Sequence, residues 1–424
     1  MSRRAILLIA FFVAFSGCNQ LEDVNSNTEA KNASAIAEFY DFSWKGYVEA
    51  DNCYRPHVAI DAQILYTVGQ LNGVNSVGRL DQIKISDIET EEMADGCAIT
   101  YQATMPVAWG YEEKASETYT FLLPRHLGQV AIDKFVERYT ADCLKWGARD
   151  VDDGVFWYYY RPAKSSCKLD PNDVVELVAE LGPNEQATEG KYPEYDKVWE
   201  DDVLNVVAIF GKAVEDSTGY DGGISAFSKF RRLVEQELGD AVTFAETVGE
   251  REGAVTTIKA ELEDGKRVNV HVFMIRSVSA AGDAFWTEYE SLTPTADYIV
   301  YNGHSGLGQN VRKLARRGEW QTGQYAIVFM NGCDTFAYID SALADAHAAV
   351  NEDDPDGTKY LDVVANAMPS YVSSTPSATM AILIGLLSYD APMTYEEILS
   401  LIDPREVALV TGEHDNTFKP SETF

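Results

Sequence analysis

The carboxy-terminal half of the chain predicts an α/β sandwich with a mostly parallel sheet, and the amino-terminal half predicts a separate α+β domain before it. Three observations carry this expectation. From residue 199 onward, short apolar runs alternate with segments of helical spacing. Two of those runs, 298–301 and 325–330, flank one helical segment at 311–318, and a strand–helix–strand unit of that length makes its strands parallel. Residues 36–180 instead mix strand-like runs with a single clear helical stretch.

The chain opens MSRRAILLIAFFVAFSGCNQ, with Arg3 and Arg4 ahead of an apolar run at 5–15. Residues 1–18 read as a signal peptide, too short for a membrane span. Its end, Phe15-Ser16-Gly17-Cys18, resembles a bacterial lipobox with Phe in the usual Leu position. That resemblance implies cleavage before Cys18 and a lipid on its sulfur. Asn19 is not the Asp that favours inner-membrane retention, so the expected location is the outer membrane of a bacterial cell envelope, reached through the lipid anchor. Residues 19–35 are polar and read as a tether.

In 36–180, residues 98–104, 117–123 and 155–160 read as strands, and 134–146 as a helix. The aromatic run at 156–160 reads as strand and core rather than as a binding face. His57 and His126 lack metal-ligand spacing. Cys53, Cys97, Cys143 and Cys167 form an even cluster in an exported chain and predict two disulfides, with three pairings open. Cys333 is left over. Residues 181–198, rich in Pro, Gly and polar side chains, read as the linker.

In 199–424, residues 203–210 read as a central strand, 224–238 as a helix stopped by Gly239, and 242–246 as a short strand. Glu263-Asp264-Gly265-Lys266 turns a hairpin between 255–261 and 267–275. After the two flanking strands, 338–350 reads as a helix starting soon after Cys333, where its amino end would lower the thiol pKa. Residues 361–365 and 407–411 read as strands, 377–388 and 395–402 as helices.

Net charge is −33 over 424 residues, without a basic stripe, which excludes nucleic acid as a partner. The acidic loop 351–362 has Asp354, Asp356 and Gly357 in a calcium-loop order, but Val363 stands where a bidentate Glu is required. Calcium is thus a weak expectation and no other metal or cofactor is expected.

The chemistry concentrates at 298–336. One apolar run ends in Asn302-Gly303-His304-Ser305-Gly306 and the next in Asn331-Gly332-Cys333-Asp334. Parallel neighbours put both ends on one edge of the sheet, where open α/β folds place their sites. An imidazole beside a thiol can take its proton, and flanking glycines let a carbonyl approach backbone N–H groups.

These residues resemble the caspase-like cysteine peptidases. YNGHSG resembles the metacaspase-type run in which Ser-Gly precedes His-Gly. NGCDTF is similar to the Ala-Cys-Glu-Thr-Gly run of CHAT domains, with Cys333, Asp334 and Thr335 in register. The resemblance implies a caspase-like αβα sandwich over 199–424. It also implies Cys333 as nucleophile, His304 as its proton partner, and an oxyanion site from the backbone N–H groups of Ser305, Gly306 and Cys333. The implied substrate is a peptide or protein. Ser305 and Phe336 depart from the family glycines, and a binding or scaffold lipoprotein without catalysis is the alternative.

Overall fold

A computed structural model of the chain describes residues 37–420, apart from 111–114, 147, 149–150, 152–153, 185–188, 215–218, 368–369 and 404–405. The expected signal peptide, the tether and Cys18 lie outside the described residues, as does part of the expected linker.

The first unit contains β1 (Glu38–Ala50), α1 (Pro56–Asn72), β2 (Ser76–Gly78), β3 (Lys84–Met93), β4 (Gly96–Trp109), β5 (Thr118–Pro124), α2 (Gln129–Cys143), α3 (Phe156–Tyr159) and β6 (Val174–Pro183). Its strands form one curled sheet in the order β2-β4-β1-β6-β5, with β3 also on β4, and every pairing is antiparallel. Helix α1 starts at Pro56, whose missing N–H costs nothing in a first turn. Ile60, Ile64, Val68 and Leu71 recur at helical spacing and are buried. Gln63 pins the helix to the sheet. Its Nε2 donates to the carbonyls of Tyr47 and Pro124, both at 2.9 Å, and its Oε1 accepts from the Tyr101 hydroxyl at 2.7 Å. Residues 156–159 form a short helix, not the expected strand. The aromatic bias toward strands yields to packing on α1, where Phe156 and Tyr160 bury against Tyr66. A Cβ at Gly69 would lie 2.0 Å from the Trp157 carbonyl oxygen, so only glycine permits this approach.

The second unit contains α4 (Tyr195–Val198), β7 (Val203–Gly211), α5 (Gly222–Leu238), β8 (Val242–Val248), β9 (Val255–Glu261), β10 (Arg267–Ile275) and α6 (Asp283–Leu292). It continues through β11 (Tyr298–Asn302), α7 (Gln309–Arg317), β12 (Ala326–Asn331), α8 (Ala342–Ala348), β13 (Leu361–Asn366), α9 (Thr375–Leu387), α10 (Tyr395–Leu399) and β14 (Ala408–Thr411). The strand order is β14-β13-β12-β11-β7-β10-β9-β8. Side chains alternate across this sheet: Ile299 and Tyr301 join one buried cluster, Tyr298 and Val300 the other.

Two parts of the expected architecture are corrected. The second sheet is mixed, so the caspase-like sandwich with a mostly parallel sheet does not hold. Its four central pairings are parallel, whereas β8–β9, β9–β10 and β13–β14 are antiparallel. The tight turns at 249–254 and 262–266 leave no room for a crossover, so both connections reverse the chain. The first unit is also not separate. One continuous buried cluster runs from its sheet through Phe336, Ala337 and Ile339 to one face of the second sheet.

Among the described residues no helix is long and apolar enough to cross a membrane.

A buried carboxylate closes the far end of β13. Asp362 Oδ2 accepts from the hydroxyls of Tyr325 and Tyr395, each at 2.5 Å, and from Asn416 Nδ2 at 2.7 Å. Burial pushes its pKa up from 3.8 to about 6, against three donors that favour the anion. The folded chain therefore holds this proton more tightly than the unfolded chain does. The stability it contributes is fully present below the unfolded pKa and is lost as pH rises through the folded one. Denaturant unfolding from pH 4 to 7 should show the wild type losing on the order of 3 kcal/mol relative to Asp362→Asn. A difference that stays flat over that window rules this out.

Candidate functional site

Strands β11, β12 and β13 run parallel side by side, and each ends in asparagine: Asn302, Asn331 and Asn366. All three are buried. Their side chains link the strand ends to one another and to the chain that follows. Asn331 Nδ2 donates to Asn302 Oδ1 at 2.8 Å, the Gly332 N–H donates to Asn366 Oδ1 at 3.2 Å, and Asn331 Oδ1 accepts from the Ser370 hydroxyl at 2.9 Å. The row fixes the start of the turn that carries Cys333. Sequence reasoning missed it, although the signal is present in three apolar runs closed alike: YIVYN, AIVFMN and LDVVAN.

Asn302 pairs with Asn331 across the two strands, and His304 and Cys333 each lie two residues beyond. Both line one cavity of about 30 Å³, together with Lys212, Ala213, Ser370 and Val372. His304 Nε2 lies 3.0 Å from the carbonyl oxygen of Ala213. A carbonyl only accepts, so Nε2 carries a proton and Nδ1 holds the lone pair of the neutral ring. Ala213 is itself held. Asp221, the N-cap of α5, accepts from the N–H groups of Ala213 at 3.1 Å and Val214 at 2.9 Å, as well as Gly223 at 2.9 Å. Asn310 Nδ2 donates to the His304 carbonyl at 2.7 Å, which fixes the histidine from its backbone side.

Cys333 is 7% exposed and lies outside both disulfides. Its Sγ is 3.6 Å from the Ser370 carbonyl oxygen. The pair expected from sequence is thus brought to one cavity. Ser305 and Gly306 are not among the lining residues. Gly306, Leu307 and Gly308 all have positive φ (59°, 49° and 82°), and this left-handed stretch leads into α7. The helix expected over 338–350 forms, but it starts later and is shorter. Asp334 takes a left-handed conformation (φ 51°), residues 335–338 form a single 3₁₀ turn, and α8 begins only at Ala342. The helix amino ends that border the shared cavity are those of α5, at Gly223, and α9, at Thr375.

Gly332 sits where the two turns touch. A Cβ there would lie 2.5 Å from the Gly303 carbonyl oxygen and 3.3 Å from the Ser305 nitrogen. Gly332→Ala must push the histidine and cysteine turns apart. The expected cost is about 10²-fold in any activity that needs both, since a 1 Å misplacement has that effect. Steady-state kinetics of the variant checks this, and an unchanged rate would show that the spacing is slack.

Lys212 was also not anticipated. It is buried at the end of β7, with its amine 3.7 Å from the Glu252 carboxylate. Of the three open disulfide pairings, the structure holds Cys53–Cys97 and Cys143–Cys167. Three carboxylates of the acidic loop at 351–362 have protein partners. Asp353 pairs with Lys359, Asp354 Oδ1 accepts from the Thr358 N–H at 3.2 Å, and Asp362 belongs to the core cluster described above. Among the described residues no group of three or more His, Cys, Asp or Glu is placed to hold a metal ion.

No protein-family model matches the chain, and no curated protein does.

Proposed function

We propose that this protein is a cysteine endopeptidase of the bacterial cell envelope, with Cys333 as nucleophile and His304 as proton carrier. The observation that carries the reading is the fixed ring: Nε2 donates to Ala213 while Cys333 shares the cavity, which leaves Nδ1 to take the thiol proton. The thiolate attacks the scissile carbonyl carbon, forming a C–S bond and an oxyanion. Collapse breaks the C–N bond, and His304 returns its proton to the leaving amine. Water then attacks the thioester, His304 accepts its proton, and the thiol is released with a carboxylic acid. Of the expected oxyanion donors, the Cys333 N–H is the one this reading keeps, since Cys333 lines the cavity and Ser305 and Gly306 do not. The cavity is small, about 30 Å³, so a peptide substrate would have to widen it. The motif likeness at 302–306 and 331–335 agrees with this reading.

The test is hydrolysis of a broad fluorogenic peptide library, with and without calcium. Cleavage that disappears in Cys333→Ala supports the proposal, and a folded wild type that cleaves nothing contradicts it. One observation favours the second reading, a non-catalytic binding protein: the small cavity over a buried cysteine. Attachment through lipid on Cys18 is part of the proposal, and two disulfides suit an exported chain. Mass spectrometry of the mature amino terminus decides that point, and an unmodified terminus elsewhere removes the anchor.

A further inference from the structure

The residue after the candidate nucleophile is held by the other unit of the molecule. The Asp334 carboxylate is fully buried, and its Oδ2 accepts from Asn72 Nδ2 at 2.5 Å and from the Tyr158 hydroxyl at 2.6 Å. Oδ1 takes no hydrogen bond among the described residues, so the grip runs through Oδ2 alone. Asn72 is fixed in turn, because Arg161 Nη2 donates to its Oδ1 at 3.0 Å. Arg161 Nη1 donates to the carbonyls of Gly69 at 2.6 Å and Tyr158 at 3.0 Å, tying the end of α1 to α3. The next residue is held from the opposite side. The Thr335 hydroxyl donates to the Met330 carbonyl at 2.6 Å and accepts from the Asn366 N–H at 2.9 Å. Beyond it, Arg79 Nε donates to the Ile339 carbonyl at 3.2 Å, and Phe39 packs edge-on against Phe336. The turn bearing Cys333 is thus clamped between the two units in a left-handed conformation that a free chain disfavours.

We infer that Asp334 is a positioning residue for Cys333, and that Asn72, Tyr158 and Arg161 make the first unit a working part of the site rather than a neighbouring module. The inference rests on the reading of Cys333 as the reacting atom. The loop that carries Tyr158 and Arg161 is closed by Cys143–Cys167, and the Arg161 N–H donates to the Cys143 carbonyl at 2.7 Å. A cross-link of the first unit therefore supports a turn of the second.

The experiment follows alkylation of Cys333 by iodoacetamide in the full-length protein against pH, for wild type, Tyr158→Phe, Asp334→Ala and Asp334→Asn. The rate on the alkaline plateau, where the thiol is fully ionised, reports how firmly the turn is held. Losing a hydrogen bond to a carboxylate favours local opening by about tenfold or more, so Tyr158→Phe and Asp334→Ala should raise the plateau by that factor. Asp334→Asn keeps an acceptor and should stay close to wild type. Asparagine also suits a left-handed backbone, so Tyr158→Phe, which leaves residue 334 untouched, is the deciding variant even if Asp334→Ala fails to fold. Plateau rates equal to wild type in Tyr158→Phe, with both disulfides intact, overturn the inference. The midpoint of the wild-type curve judges the peptidase reading separately: an ordinary thiol midpoint removes the peptidase and leaves the plateau comparison decisive for the clamp.

Discussion

Cys333→Ala is expected to abolish peptide hydrolysis, and His304→Ala to lower it by about 10²–10⁴-fold, the usual share of a positioned acid–base group. The double variant should be no slower than Cys333→Ala, because residues acting as a unit do not add. The reason is geometric. Both side chains follow the paired ends of β11 and β12, and the imidazole is held by Ala213 in the tautomer that leaves Nδ1 basic. Stability should change little in Cys333→Ala, by roughly 1 kcal/mol, since loss of one sulfur only enlarges an existing small cavity. Library kinetics with circular dichroism separates the two effects. A His304→Ala enzyme as fast as wild type would mean that the histidine is a structural residue holding the loop at Ala213.

Loss of the disulfides is expected to have the largest effect on stability. The Cys53–Cys97 bond joins residues 44 apart and Cys143–Cys167 residues 24 apart. Chain-entropy arguments give about 4 kcal/mol for the first loop and about 3.5 kcal/mol for the second. The two should nevertheless differ in what they disturb. Cys53–Cys97 ties the chain before α1 to the start of β4, distant from the site in the chain's connectivity. Cys143–Cys167 closes the loop that holds Asp334. Urea unfolding of paired Cys→Ser variants measures the stability of each. Activity measured well below each midpoint should fall in the second pair and not in the first. Equal activity in both would detach the loop from the site.

Much of the fold was legible because its strands are short apolar runs bounded by glycine and turn residues. The hairpin at 255–275 and the β11–α7–β12 unit both follow from such local signals. Sheet composition was less legible. Whether an edge strand joins parallel or antiparallel depends on where the chain returns, and β14 comes back antiparallel after two helices. Helix α1 was not anticipated, nor α3, whose aromatic residues have strand preferences that packing overrides. At the site, the histidine and cysteine were readable from matching strand ends. The partners that orient them were not. Ala213, Asp221, Asn72 and Tyr158 come from distant parts of the chain, and only tertiary contact shows that they converge. The helix expected over 338–350 starts late for a related reason. The alanine-rich run at 342–349 does form helix, but Asp334 is turned toward the first unit, and the chain spends residues 334–341 docking there.

The most direct measurement is the pH dependence of Cys333 alkylation in the full-length wild type and in His304→Ala, with labelling located by peptide mapping. If the two side chains act together, the wild-type midpoint should lie well below the ordinary thiol value of about 8.5, and His304→Ala should move it back toward that value. A wild-type midpoint near 8.5 that His304→Ala leaves in place, or a Cys333 that no pH renders reactive in the folded protein, would contradict a thiolate–imidazole site.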